Sequence, residues 1–485
     1  MNIIYKTLLS GYFLIFFNPA LTSTVTSTMV IHDEPEKNPP NIIFIMADDL
    51  GYADINSFDP LERTFYETPN IDRLAQEGIK FLHAYSSAAN CAPTRAALVT
   101  GQYFPNQPIY HVGNSGTGAM IPAENAHELP AEKFTSAEAL KKAGYSTALI
   151  GKWHLGDPPT HGPQQQGYEV NIGGYGAGNP GVWEGGFFEP NNNPYIDDAE
   201  DGEYLTDYKT RKAIEFITEN SDGPFYLNLS LYTPHWPLQA PGHVVEKYEN
   251  KEPEGGHHNA TYAAMIEIMD RNVGKIVEAV DHLGIAEETM IIFYSDNGGI
   301  GGYDEIEGRP DSDAITVAGV TDNSPLRGGK AMFYEGGIRV PLAIRWPGTI
   351  PEGGISNEPV KSIDFYPTYL EAAGISKPKN HKLDGVSFLP VMKDPEYLLN
   401  RDVLYWHFPG YPNAAWRTTP VSVIRSGDWK LMKFYETDSV ELYNLIEDVS
   451  EKHNLSEKNP EIRNRLKQKL ENWLEEVDAP LPRWP

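Results

Sequence analysis

Five short stretches of this 485-residue chain hold residues suited to chemistry. They are Asp48-Asp49, Cys91-Ala92-Pro93-Thr94-Arg95, Gly151-Lys152-Trp153-His154, Thr233-Pro234-His235 and Asp296-Asn297-Gly298-Gly299. The cysteine stretch reads as a helix start. Pro93 suits the first turn, and Thr94 to Gln102 continue it. Cys91 then stands at the helix N-terminus, where free N–H groups and the dipole favour an anion. Arg95 lies one helical turn on and faces the same spot. The pattern describes an oxyanion site with an unusual residue at its mouth. Each of the other four has an ordinary reading as well. Asp-Asp and Asp-Asn-Gly form turns readily, and a single Lys or His near a strand end is commonly a solvated loop residue. Their coincidence at four successive strand ends is far less ordinary.

Those strands are read from hydropathy. Asn41 to Ala47 (NIIFIMA) is a nearly continuous apolar run, as in a strand buried on both faces. Tyr145 to Ile150, Phe225 to Tyr232, Met290 to Ser295 and Val340 to Arg345 follow. Helices are expected between them: Asn70 to Glu77, capped by Asn70 and ended by Gly78; Ser136 to Ala143; Tyr204 to Asn220; Asn259 to Leu283; and Ser362 to Ala373. Alternation of this kind implies an α/β fold with a mostly parallel central sheet flanked by helices. In open α/β sheets ligands bind beyond the carboxyl ends of the strands, so the four strand ends should converge on one cleft. After about Lys377 the character changes. Short β-type runs such as Val421 to Arg425 and Trp429 to Phe434, then a charged helix from Glu461 to Val477, indicate a smaller C-terminal α+β subdomain. The expected divisions are a catalytic domain over 41–376 and the subdomain over 377–485. Residues 157–203 are rich in Gly, Asn and Pro without periodicity, which marks a functional loop or linker.

The motif Cys-x-Pro-x-Arg, followed by Ala96-Ala97-Leu98-Val99-Thr100-Gly101, resembles the signature of the type I, formylglycine-dependent sulfatases. Further segments resemble that family in order: IFIMADDLGY (43–52), GKWHLG (151–156), TPHWPLQAP (233–241), YSDNGG (294–299) and LRGGKAMFYEGGIRVP (326–341). The resemblance implies the alkaline phosphatase-like fold and hydrolysis of sulfate esters. It also implies that a formylglycine-generating maturation enzyme oxidises Cys91 to formylglycine. Asp48, Asp49, Asp296 and Asn297 offer only oxygen, which selects a hard cation such as Ca²⁺ or Mg²⁺ over zinc. The family resemblance favours one Ca²⁺, with an oxygen of modified Cys91 also bound. By the same resemblance, one hydroxyl of hydrated formylglycine attacks sulfur and forms a covalent enzyme–sulfate, and loss of a proton from the other releases sulfate. His154 is the expected base. His235 and Lys330 are expected at the leaving alkoxide, with Lys152 and Arg95 neutralising sulfate and hydrate charge.

Bulk properties narrow the setting. Lys plus Arg total 39 against 67 acidic residues, giving a net charge of −28. Such a surface repels nucleic acid and anionic membranes, and a sulfated substrate too. The pocket must therefore hold its own cluster of cations. The first 24 residues read as a signal peptide: Lys6, the apolar stretch Leu8 to Phe17, then Pro19, Ala20 and Thr22 before cleavage. The apolar stretch is shorter than the ~20 residues of a membrane span. Export to the periplasm or beyond is expected, with no span in the mature form, and residues 25–40 form a polar lead-in. Cys91 is the single cysteine. No internal disulfide can form, and a residue kept for chemistry is the sharper reading than an inert thiol.

Weaker candidates remain. Arg327 either binds substrate or holds the loop carrying Lys330. His111, His161, Trp406, His407 and Trp416 are placed in loops where a sugar could stack or hydrogen-bond, and ordinary packing is an equal reading. His257-His258 reads as an exposed helix cap. An exported, acidic enzyme with aromatic loops points to a sulfated polysaccharide or oligosaccharide as substrate. Three rivals stand beside this. A phosphate or phosphonate ester hydrolase of the same superfamily tends to present Asp-His where this chain has Asp296-Asn297. A non-catalytic sulfated-glycan binder would not need intact Cys91, His154, His235 and Lys330. A thiol hydrolase would match poorly with calcium-type ligands.

Overall fold

The computed structural model describes residues 39–302, 320–412 and 418–485. Its centre is an eight-stranded sheet in the order Val170–Ile172, Ser146–Gly151, Phe225–Ser230, Asn41–Ala47, Thr289–Ser295, Leu342–Arg345, Ile79–Phe81, Gly354–Ser356. The first five strands pair in parallel. Leu342–Arg345, read as one more strand of the parallel set, instead runs antiparallel to both its neighbours.

The run Asn41–Ala47 shows why this sheet is buried on both sides. Ile43, Ile45 and Ala47 enter one hydrophobic cluster, while Ile42, Phe44 and Met46 enter another. Side chains alternate across a strand, so an unbroken apolar run feeds two cores at once. The first core is closed by the helices Leu205–Glu219 and Ala260–His282. The second is closed by Cys91–Thr100, Ser136–Lys142 and Phe365–Ala372.

Two helices are capped by neighbours in sequence and a third by a distant carboxylate. Asn259 caps Ala260–His282 by accepting from Tyr262 N–H, and Thr135 with Glu138 forms a capping box on Ser136–Lys142. Asn70, expected as a cap, lies inside Pro69–Gln76, whose N-cap is Thr68. Its amide donates to Asp270 at 2.7 Å, and Asp270 also accepts the backbone N–H of Asn70 and Ile71. A carboxylate from the long helix thus does the capping. The C-terminal part is an antiparallel meander, Val403–Phe408, Val421–Ser426, Trp429–Phe434 and Ser439–Asn444, followed by the helix Pro460–Glu476. Trp416 lies outside the described residues.

Candidate active site

Four adjacent strands end at one place. Asp48 and Asp49 follow Asn41–Ala47, Lys152 and His154 follow Ser146–Gly151, His235 follows Phe225–Ser230, and Asp296 and Asn297 follow Thr289–Ser295. Cys91 opens the helix Cys91–Thr100. Asp48, Asp49, Asp296 and Asn297 are fully buried, and Cys91 nearly so. Oxygen, sulfur and nitrogen atoms of Asp48, Asp49, Cys91 and His235 all lie within 4.8 Å of one another, a group of metal-binding type.

Burying so many carboxylates requires compensation. Lys152 Nζ stands 2.8 Å from Asp48 Oδ2, and Lys330 Nζ stands 2.6 Å from Asp49 Oδ2. Arg95 donates from Nε and a terminal nitrogen to Asp296 Oδ2 at 3.0 and 2.7 Å, and to the Lys152 carbonyl at 3.1 Å. Ser230 Oγ also receives Arg95. Arg95, expected to face the anion, therefore turns its donors to a carboxylate and a backbone carbonyl. Asn297 Nδ2 donates to Asp49 Oδ1 at 2.8 Å and to the Gly298 carbonyl at 3.0 Å. Asn297 Oδ1 is buried with no hydrogen-bond partner among the described residues.

Backbone strain supports the same cluster. Asp49 has φ 64° and His154 has φ 62°, left-handed values uncommon for such residues. Asp49 is braced from behind, where Tyr262 Oη donates to its carbonyl at 3.3 Å and to Asp54 at 2.6 Å. His154 N–H is held by the Tyr175 carbonyl at 2.9 Å. A Cβ on Gly178 would lie 2.5 Å from His154 Nε2, so only glycine lets this loop approach the imidazole so closely.

These surroundings set proton affinities. Burial opposes the charge of Asp49, but Lys330, His235 and Lys152 outweigh it and hold this carboxyl below its ordinary range. Asp296 moves the other way, up to about 6, through burial and the neighbouring Asp48 charge. Burial and the cations Lys152 and Arg95 keep His154 neutral. His235 is lowered to about 3 by burial, despite Asp49. Burial pushes the Cys91 thiol up to about 12, which disfavours a thiolate nucleophile.

Lys330 rides on a loop gripped by the C-terminal sheet. Arg327 donates to the Glu451 carbonyl at 2.8 Å and to Tyr443 Oη at 3.1 Å, and its guanidinium lies 3.9 Å over the Tyr334 ring. These contacts match the loop-holding role expected for Arg327. Thr418 donates to the Ala331 carbonyl at 2.5 Å. Beneath the loop, Lys430 Nζ stands 3.0 Å from Glu335 and 2.8 Å from Glu451, all three buried.

Several weaker candidates fall elsewhere. Trp406 and His407, expected in loops, lie within the strand Val403–Phe408 and are buried. Trp406 donates to the Ser86 carbonyl at 2.8 Å, and His407 is fixed by Ser422 Oγ at 2.6 Å and the Pro480 carbonyl at 3.0 Å. Neither presents a face to a sugar. His111 is buried edge-on against Phe408. His161 pairs with Glu128 at 3.1 Å. His257, expected to be exposed, is buried over Tyr66 and bonded to the Asp322 carbonyl at 3.0 Å, while His258 is exposed. Sequence reasoning missed Ser230, Gly178 and Trp236 at the site. Only Trp236 carried a visible signal, as an aromatic residue directly after His235.

A family description, Sulfatase, matches residues 40–375, and a second, N-sulphoglucosamine sulphohydrolase C-terminal, matches residues 329–477. A sulfatase of Formosa agariphila is 32% identical over 545 aligned residues, covering 97% of this chain and 95% of its own. The N-acetylgalactosamine-6-sulfatase of Canis lupus familiaris is 30% identical over 387 residues, covering 76% and 68%. The crystal structure of Ps i-CgsB in complex with k-i-k-neocarrahexaose is 30% identical, with TM-score 0.71, covering 90% of this chain and 93% of that one.

Proposed function

The chain belongs to the sulfatase family and is a hydrolase of sulfate esters, and on that premise we propose that its substrate is a sulfated carbohydrate. We propose further that Cys91 is matured to formylglycine and that one hard divalent cation, Ca²⁺ by preference, sits beside it. The observation that carries this reading is the set Asp48, Asp49, Asp296 and Asn297, fully buried at one strand-end cluster with Cys91 at the helix N-terminus. The orphaned, buried Asn297 Oδ1 fits a cation as its missing partner. Three carboxylates and an amide oxygen form the donor set of a hard cation.

When bound, the cation would supply Lewis-acid polarisation of the oxygen nucleophile at position 91 and charge stabilisation for sulfate. The chain's own groups do the rest. The free N–H groups of the helix Cys91–Thr100 face the anion. Lys152 and Lys330 supply the positive charge that a net charge of −28 denies elsewhere. His154, neutral and with Nδ1 lacking a hydrogen-bond partner among the described residues, is able to take a proton at the nucleophile. His235 Nε2 lies 3.2 Å from Lys330 Nζ, and the two share the position for a proton delivered to the leaving oxygen. Arg95 orients Asp296 and the Lys152 backbone. Sugar sulfates as substrates are supported by the relatives named for N-acetylgalactosamine 6-sulfate and crystallised with neocarrahexaose.

Export is proposed from the N-terminal sequence alone, which lies outside the described residues. No helix among the described residues is long and apolar enough to cross a membrane. The test of the central reading is the mass of the peptide holding Cys91 from protein made with a maturation enzyme, alongside sulfate release from sugar sulfates. Conversion of Cys91, with turnover lost in Cys91→Ala, is expected. An active enzyme with an unmodified thiol would refute it.

A further inference from the structure

The sulfate pocket is buried, so the carbon skeleton bearing the sulfate must emerge past the partly exposed side of the site. His235 marks that side, its side chain 12% exposed. The next residue, Trp236, is 54% exposed, unusual for so large an apolar surface beside a reacting centre. Its backbone carbonyl holds His235 Nδ1 at 2.5 Å. The segment Ala177–Val182 runs from the imidazole of His154, approached by Gly178, to the indole of Trp236. A Cβ on Gly181 would meet Trp236 Cζ3 at 2.7 Å. Asn179 Oδ1 fixes this turn by accepting Gly181 N–H at 2.9 Å. The indole is thus backed by the Gly181 backbone while more than half of the residue's surface stays exposed.

We infer that Trp236, backed by Gly181, is a stacking platform for the sugar ring that carries the scissile sulfate or the ring next to it. This deepens the proposed function and rests on it. Two facts make a neutral platform the fitting device. A polysulfated chain is repelled by a protein of net charge −28, so contacts beyond the sulfate pocket gain little from charge and more from uncharged surface. A pyranose ring offers an apolar C–H face that matches an indole, and a rigid two-torsion side chain orders at small entropic cost. The sulfate pocket is shared by every sulfate monoester, whereas this surface distinguishes a ring from an open alkyl chain.

The experiment compares wild type, Trp236→Ala, Trp236→Phe and Gly181→Ala, each matured at Cys91. Substrates are a sulfated neocarrahexaose, N-acetylgalactosamine 6-sulfate and methyl sulfate, which has no ring. Trp236→Ala keeps the backbone carbonyl that holds His235. On whichever sugar sulfate wild type hydrolyses best, it should lower kcat/KM about tenfold, carried mainly by KM, the size expected for one aromatic contact. Trp236→Phe should recover most of the loss. Gly181→Ala, which pushes the indole outward, should fall between. Equal fractional losses on the sugar sulfate and methyl sulfate, or unchanged KM in Trp236→Ala, would overturn the platform while leaving the sulfatase reading intact. Wild type that cleaves methyl sulfate but neither sugar sulfate would instead overturn the carbohydrate reading, and the platform with it.

Discussion

Asn297 turns its amide nitrogen to Asp49, 2.8 Å from Oδ1, and so leaves its own carbonyl oxygen buried without a hydrogen bond among the described residues. A buried unpaired carbonyl is costly. The pairing fixes Asp49 and leaves that oxygen as the unsatisfied atom of the amide.

Asn297→Ala should therefore weaken cation binding rather than unfold the protein. Calcium titration calorimetry should show a larger Kd, and added Ca²⁺ should raise Tm less than in wild type, because stabilisation follows RT ln(1 + [L]/Kd). Identical Kd values would remove Asn297 from the ligand set.

His235→Ala should divide substrates by leaving group. His235 Nε2 sits 3.2 Å from Lys330 Nζ and 3.4 Å from Asp49 Oδ2, on the partly open side of the cluster. General acid catalysis contributes roughly 10²–10⁴-fold where the leaving group is poor. Sugar sulfates should lose activity on that scale, and aryl sulfates much less. Equal losses on both would place His235 in a purely structural role.

Trp406→Ala should act on stability and not on specificity. The indole is 1% exposed, edge-on to Tyr85 at 5.5 Å, with Lys361 Nζ 3.9 Å from its ring. Deleting a buried Trp costs roughly 3–5 kcal/mol. The denaturation midpoint should fall, while the ratio of sugar-sulfate to aryl-sulfate activity per folded molecule stays constant. A changed ratio would contradict the burial.

Stability should fall as pH rises from about 4.5 to about 7, through Glu451. Burial, with the Glu335 charge beside it and only partial relief from Lys430, lifts Glu451 to about 7 from its ordinary value of 4.5. Within that window the unfolded chain has released a proton that the folded chain keeps, so unfolding becomes easier with each pH step. Below it both states are protonated and the contribution is fully present. Urea midpoints measured across the window should show a shallower slope for Glu451→Gln. Parallel slopes would mean that Glu451 is ionised throughout.

The strand ends were legible because two local signals coincided at each: an apolar run of strand length and an abrupt polar turn. Those signals carried Asp48, Asp49, Lys152, His154, His235, Asp296 and Asn297 to one cleft. The partner of Arg95 was not legible, since spacing along a helix says which way a side chain faces but not what meets it. Asp296 lies 201 residues away in sequence. Trp406 and His407 misled because Val403–Phe408 mixes aromatic and polar residues without clean alternation, and both of its faces are covered. Asn70 looked like a cap by type, but Asp270, 200 residues on, took that task. Trp236 went unremarked inside a matched motif. Its exposure depends on how the chain turns after His235, which no local pattern encodes.

The grip of the C-terminal sheet on the Lys330 loop has a consequence for how this chain can be divided or recombined. Lys430 neutralises Glu335 from across the boundary, and Glu335 accepts no solvent in exchange, being fully buried. A chain ended near residue 376 would leave Glu335 without Lys430, and Arg327 deprived of both its hydrogen-bond anchors. The meander is therefore not a detachable accessory that could be swapped among relatives like a cassette. A chimera would inherit a working Lys330 only if its donor also supplied counterparts of Lys430, Tyr443 and Glu451, so these positions should travel together through descent with the loop they hold.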